Sequence, residues 1–121
     1  MKKIYILFLL LSSGAFGQVF VKGIDINRLP DVKVCEMLLL EDFVVSSGVE
    51  VAVDYGQKRS EFEGKITDAS GKAIKFPSAV AAINHMEGNG WEYINNSVIQ
   101  KGRGVIYRYY FRRKSNLSDT H

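Results

Sequence analysis

Catalysis needs nucleophiles, acids, bases or metal ligands that the fold can bring together, and this chain of 121 residues offers few. Its one cysteine, Cys35, lies in the apolar run VKVCEMLLL. A lone thiol in such a run is expected to be buried and inert, since reactivity needs exposure and a lowered pKa. The other nucleophile partners are His85 and hydroxyls such as Ser47, Ser60, Ser70 and Ser78, none of which stands in a nucleophile-elbow or protease signature. Glycoside or peptide hydrolysis by paired carboxylates would draw on Asp54, Glu61, Glu63 and Glu92, so an envelope hydrolase using the carboxylates near residues 54–63 is the alternative reading. Glu61 and Glu63 fall in the charged tract QKRSEFEGK, where solvation accounts for them better.

Metal binding fares no better. His85 has only Glu87 within a helical turn, on a different face, and His121 is at the chain end, so no metal site is expected. Gly88-Asn89-Gly90 and Gly102-Arg103-Gly104 are too short to cradle a phosphate and do not lead from a strand into a helix. The residues therefore point to a non-catalytic chain without cofactor.

The strongest binding candidate is a basic, tyrosine-rich hairpin. In VIYRYYFRRK, Val105, Tyr107, Tyr109 and Phe111 alternate with Ile106, Arg108, Tyr110 and Arg112, giving an apolar face and a basic one. Lys101 and Arg103 stand at the tip, so Lys101, Arg103, Arg108, Tyr110 and Arg112 form one candidate face for a protein or an acidic envelope component. On this reading Arg108 and Arg112 are surface residues whose replacement leaves the core untouched. The competing explanation is structural, because basic side chains also discourage sheet edges from pairing. Trp91 poses the same choice. Placed just after Gly90, it opens the strand that must pass beneath its own helix, which predicts a core residue rather than a ligand platform.

The elements that position these residues follow from periodicity and punctuation. QVFVKGIDI reads as a first strand or extended segment, NRLPD as a turn, and VKVCEMLLL as a strand. A polar-flanked connection, EDFVVSS, leads into GVEVAVDYG, which alternates Val49, Val51, Val53 and Tyr55 against Glu50, Ala52 and Asp54. ITDASGKAIKF reads as a short hairpin turning at residues 68–71. Ser78 caps a helix whose stripe is Ala79, Ala82, Ile83 and Met86, widened by Val80 and stopped by Gly88 or Gly90. WEYINNSVIQ and the basic strand close the chain through KGRG. One amphipathic helix packed on one face of an antiparallel sheet is the economical arrangement, an α+β fold.

The first residues read as a leader: Lys2 and Lys3, an apolar run from Ile4 to Leu11, then small residues ending Ala15-Phe16-Gly17. The apolar stretch is short of the ~20 residues a membrane span requires, so cleavage rather than anchoring is expected. The organisation is then a signal peptide at 1–17, one domain at 18–114 and a polar tail at 115–121, exported to the periplasm or secreted. Export makes nucleic acid a poor partner. Loss of Lys2 and Lys3 lowers the basic residues from 16 to 14 against 13 acidic ones, and the net charge from +3 to +1. The remaining charge is uneven, since Lys101, Arg103, Arg108, Arg112, Arg113 and Lys114 crowd the end of the chain with no acid between them.

The segment with Ala82-Ile83-Asn84, Gly90-Trp91-Glu92 and the aromatic and basic run Tyr107 to Arg113 resembles small uncharacterised bacterial domains built on an A-x-N helix, a G-W-E step and such a hairpin. From GIDIN through VEVAVDYGQ and GKAIKF to the end, the chain also resembles exported proteins of gut-type Bacteroidetes with no assigned activity. At Cys35 and Pro77 those patterns favour Tyr and Asn, a local departure in strand packing and at the helix cap. The resemblance implies a fold and an export route and no chemistry. Mass spectrometry of protein exported by a bacterial host is expected to find Gln18 at the N-terminus; Met1 retained in a membrane fraction would overturn the leader reading.

Overall fold

The computed structural model describes residues 17–40, 44–45, 48–58 and 64–115. Residues 1–16 (the expected leader up to Phe16), the charged tract at 59–63 and the tail from 116 lie outside them. Within the described residues the chain runs β1 (Phe20–Val21), β2 (Ile24–Asp25), a 3-10 turn (Ile26–Arg28), β3 (Val34–Leu40), β4 (Val44–Val45), β5 (Gly48–Val49), β6 (Ala52–Asp54), β7 (Ile66–Thr67), α1 (Ala79–Glu87), β8 (Trp91–Lys101) and β9 (Gly104–Arg113). This is the α+β architecture, antiparallel throughout, with a single helix.

Strand order in the main sheet is β6-β3-β9-β8, and a smaller sheet runs β2-β1-β7, with β4 and β5 paired beside them. The two larger sheets are stitched together at β6. Val53 N–H donates to the Gly64 carbonyl at 2.7 Å, and Ile66 N–H to that of Val51 at 3.0 Å. A side chain at position 64 would bring its Cβ to 3.0 Å from the Val53 carbonyl oxygen and 2.8 Å from Gln57 Nε2. Glycine therefore permits the approach that occupies the β6 edge.

Alternation decides which residues reach the core. Cys35, Met37 and Leu39 of β3 meet Val51, Val53, Phe111 and Trp91 on one face. Tyr107 and Tyr109 pack at that cluster's margin. Ser78 caps α1, its Oγ accepting from Ala81 N–H at 3.2 Å. Ala82 and Met86 are fully buried in the same core. The opposite face of the sheet also buries Leu38, Ala52 and Ile106, with Leu38 in register with both Ala52 and Arg108.

Trp91 is wholly buried, as its position after the glycines predicts. Its Nε1–H donates to Asn27 Oδ1 at 2.7 Å, and the Arg113 guanidinium lies 4.9 Å from its ring centroid. Arg113 in turn donates to four backbone carbonyls around the 3-10 turn. Nε reaches Val32 at 3.0 Å, Nη1 reaches Asn27 at 3.0 Å, and Nη2 reaches Leu29 at 2.9 Å and Ile26 at 3.3 Å. The final turn of chemistry in the last strand thus holds the first loop.

Three readings of the sequence change. QVFVKGIDI is a hairpin, not one strand, because Lys22 and Gly23 both take positive φ and reverse the chain between β1 and β2. GVEVAVDYG keeps its alternation but divides into β5 and β6, since Val49 bridges Phe76 whereas Ala52 to Asp54 pair with β3. Val80, expected to widen the helix stripe, is 62% exposed; α1 rests on Ala82 and Met86, with Ala79 and Ile83 packed beside them. The helix ends through Gly88 in helical conformation, and it is Gly90 that takes the left-handed one, with φ 98°.

Replacing Trp91 by Ala removes the largest fully buried side chain and the partner of both Asn27 and Arg113. Urea denaturation is expected to show a loss of about 3–5 kcal/mol, the range for buried aromatic truncation. Near-native stability would place the indole's energetic role elsewhere.

Candidate functional site

The outer face of the main sheet, opposite the principal core, carries the candidate residues. Register places Asp54, Glu36 and Tyr110 side by side across β6, β3 and β9, with Asn95 of β8 beyond them. The next row toward the hairpin tip is Ala52, Leu38, Arg108 and Ser97. In the other direction Arg112 stands between Val34 and Glu92.

Arg108, Tyr110 and Arg112 share one face, as their alternation predicts. That face is not basic in space. Arg108 forms an ion pair with Glu36, both side chains about one-fifth exposed. Arg112 Nε lies 3.6 Å from Glu92 Oε1 in a pair that is more than half exposed. Tyr110 shares a 3.2 Å hydroxyl contact with Ser97. Arg103 is exposed at the hairpin turn, and the Lys101 side chain falls outside what the structure describes. The last two basic residues of the strand turn elsewhere: Arg113 clamps the first loop, and Lys114 Nζ donates to the Glu87 carbonyl at 2.6 Å while pairing with its carboxylate at 3.3 Å.

Arg108 accordingly differs from the surface residue expected of it. It is held in a partly buried pair, and its partner Glu36 faces Asp54 directly across the ladder. Like charges in register repel, and the guanidinium offsets that repulsion. Sequence alone gave no signal for Glu36, which is hidden within an apolar strand; only register with β9 discloses it.

Around these residues runs a shallow groove of about 720 Å³, lined among others by Val34, Glu36, Asp54, Tyr55, Ile94 and Tyr110. Val34 and Ile94 are exposed there, at 61% and 42%. Of the four carboxylates of the hydrolase reading, only Asp54 and Glu92 fall among the described residues, and these two stand apart. Asp54 and Glu92 stand on the two outer strands, three strand spacings or roughly 14 Å apart, beyond the ~6.5–9.5 Å of an inverting pair. Asp54 Oδ1 accepts from Gly56 N–H at 2.9 Å, a turn contact, and Glu61 and Glu63 lie outside the described residues.

Cys35 lines the groove from beneath, 5% exposed, and burial pushes its thiol up to about 12, which leaves it protonated at neutral pH. The His85 ring packs against Phe76 at 5.3 Å, tilted by 57°, and its burial lowers its pKa below the ordinary histidine value. Among the described residues no group of three or more His, Cys, Asp or Glu is placed to hold a metal ion, and no helix is long and apolar enough to cross a membrane.

One apolar feature escaped the reading of WEYINNSVIQ. The pairing of β8 with β9 slips between Tyr93 and Asn95, a bulge at Ile94. Past it, Asn95 and Ser97 turn to the outer face while Val98 turns to the inner one, opposite Tyr107. Val98 nevertheless remains 58% exposed, and Ile99 41%. Compared with known proteins, the chain matches no family model, no curated protein and no solved structure.

The two arginines are expected to respond differently to replacement. Arg108→Ser should lower stability by about 1–3 kcal/mol, because it leaves the Glu36 carboxylate partly buried beside Asp54. Arg112→Ser should cost about 0–1 kcal/mol, as for exposed pairs. Combining Arg108→Ser with Glu36→Gln should recover most of the Arg108 loss. Urea midpoints of the four proteins check this, and equal losses for both arginines would show that the Glu36 pair carries no coupling.

Proposed function

We propose that this chain is a small exported, non-catalytic interaction module that engages a protein partner through its four-stranded sheet. The observation that carries the reading is where the exposed apolar side chains stand. Val34, Ile94, Val98 and Ile99 lie on that sheet, three of them on β8, and are 41–61% exposed. Most surface apolar residues are scattered and need no explanation, whereas several on one strand and beside one groove mark a contact surface. Ion pairing of Arg108 and Arg112 supports a protein over a polyanion, because an acidic ligand would first have to displace Glu36 and Glu92. The leader and the resemblance to exported proteins support the route, to the periplasm or beyond.

A photo-crosslinking amino acid placed at Ile94 or Val98, with the chain expressed in a bacterial host that exports it, is expected to give discrete protein adducts. The same probe at Val80, equally exposed on the helix, should give none. Identical patterns at all three positions, or no adduct at any, would overturn the sheet as the interaction surface.

A further inference from the structure

We propose that the open edge of β8 pairs with its own copy, making a two-fold dimer in which two four-stranded sheets become one of eight strands. This deepens the interaction reading and rests on it, by naming the partner as a second molecule of the same chain.

The two edges of the main sheet are treated differently. At β6 the edge is occupied by residues 64–66 through hydrogen bonds to Val51 and Val53. β8 is the other edge, and its first part is protected as well. Glu87 Oε2, reaching down from the end of α1, accepts from Tyr93 N–H at 2.8 Å, a bond that holds the carboxyl below its usual pKa. Beyond the bulge, no such contact is found among the described residues. Residues 95–100, NNSVIQ, contain no charge and no proline, the two commonest devices that keep an edge from pairing.

The ladder fixes which backbone groups are available. The two-residue turn at Gly102 and Arg103 makes Lys101 and Gly104 the closing hydrogen-bonded pair. Antiparallel bonding alternates, so Lys101, Ile99, Ser97 and Asn95 bond to β9, whereas Gln100, Val98 and Asn96 direct their N–H and C=O away from the sheet. Three consecutive outward pairs are what an added antiparallel strand uses.

A second copy fits this edge in one register particularly well. Centred on Val98, a two-fold axis sets Val98 against Val98 of the other copy, Asn96 against Gln100, and Ser97 against Ile99. On the inner face Tyr107 and Val98 of each copy then form one apolar row, covering a valine left 58% exposed in the single chain. Asn96 and Gln100 place amide beside amide, and Ile99 gains cover on the outer face. Centring on Ser97 instead would oppose Val98 to Asn96 and bring the Arg108 rows of the two copies together, a like-charge arrangement. The contact is isologous and closes on itself, so it ends at a dimer rather than a fibre.

The test uses protein purified from the full chain, with Val98→Cys and Ser97→Cys variants oxidised by copper–phenanthroline, and with Val98→Lys compared with wild type for mass in solution. Residues opposite each other in such a ladder have Cα atoms about 5.5 Å apart, within disulfide range, so Val98→Cys should form a covalent dimer and Ser97→Cys far less. Cys35, buried and protonated, adds no competing link. Light scattering should show a wild-type dimer whose dissociation constant rises at least tenfold in Val98→Lys, with both chains giving the same far-ultraviolet circular dichroism. If Val98→Lys does not fold, the two cysteine variants alone decide the matter. A wild-type chain that stays monomeric at the highest attainable concentration, or faster crosslinking through Ser97→Cys, would overturn the proposal. Monomeric protein that still gives discrete heavier adducts from Val98 in cells would refute the self-pairing and leave the broader interaction reading standing.

Discussion

The guanidinium of Arg113 is the constraint on which the rest of the structure depends. It gathers the carbonyls of Ile26, Asn27, Leu29 and Val32 and stacks on Trp91, so one side chain from the last strand fixes the first loop and the indole at once. The Ile26 and Leu29 carbonyls also accept the backbone N–H groups of Leu29 and Val32, whereas leaving those of Asn27 and Val32 without a donor beneath a core tryptophan would cost about 1–3 kcal/mol each. A lysine could not substitute, because the planar fork meets several acceptors in fixed directions while an ammonium is a point charge. Asn27 completes the arrangement: its Oδ1 receives Trp91 Nε1–H, and its Nδ2 donates to the carbonyls of Asn89 at 2.8 Å and Gly17 at 3.3 Å. Gly17, the 3-10 turn, the helix exit and the β8 start are thereby tied at one point.

That tie explains the register of the closing hairpin. With Trp91 set opposite Arg113, Tyr93 falls opposite Phe111 and both face the core, where their rings meet edge to face at 5.9 Å. Continued without interruption, the alternation would send Asn95 and Ser97 inward and Val98 outward. The bulge at Ile94 reverses this, leaving Ser97 to contact Tyr110 and turning Val98 to the inner face opposite Tyr107. The inner face is therefore well covered near Trp91 and thinly covered toward the tip. The bulge thus puts Val98 on that thinly covered part of the inner face, where it stays 58% exposed.

What could be read from the sequence was whatever depends on neighbours along the chain. The alternation of Val49, Val51 and Val53, the cap at Ser78, the Asp68 turn and the burial of Trp91 all answer to spacing and local hydrogen bonding. What could not be read depends on partners brought from far away. Lys22 in positive φ, the division between β5 and β6, and Arg113 among its carbonyls have no local signature. In the string FRRK the three cations look alike. Alternation separates the faces of Arg112 and Arg113, but only the position of the 3-10 turn decides that one meets solvent and Glu92 while the other meets carbonyls.

The same limit governs the outer face. Read along the strand, Arg108 and Arg112 make a basic stripe; read across the sheet, each is matched with a glutamate from a different strand. Ion pairs of this kind leave little field beyond a Debye length of about 8–10 Å, so long-range steering of an acidic partner is not what this surface is built to do. What it presents instead are short-range features: apolar side chains at the groove and along β8, and backbone groups on an open edge. Interactions of that sort act only on contact and select by shape and register. The pairing of Glu36 with Arg108 thus has two effects, holding two carboxylates together across the ladder and removing a free cation from the outer face, so that what remains there to make contacts is apolar side chains and backbone.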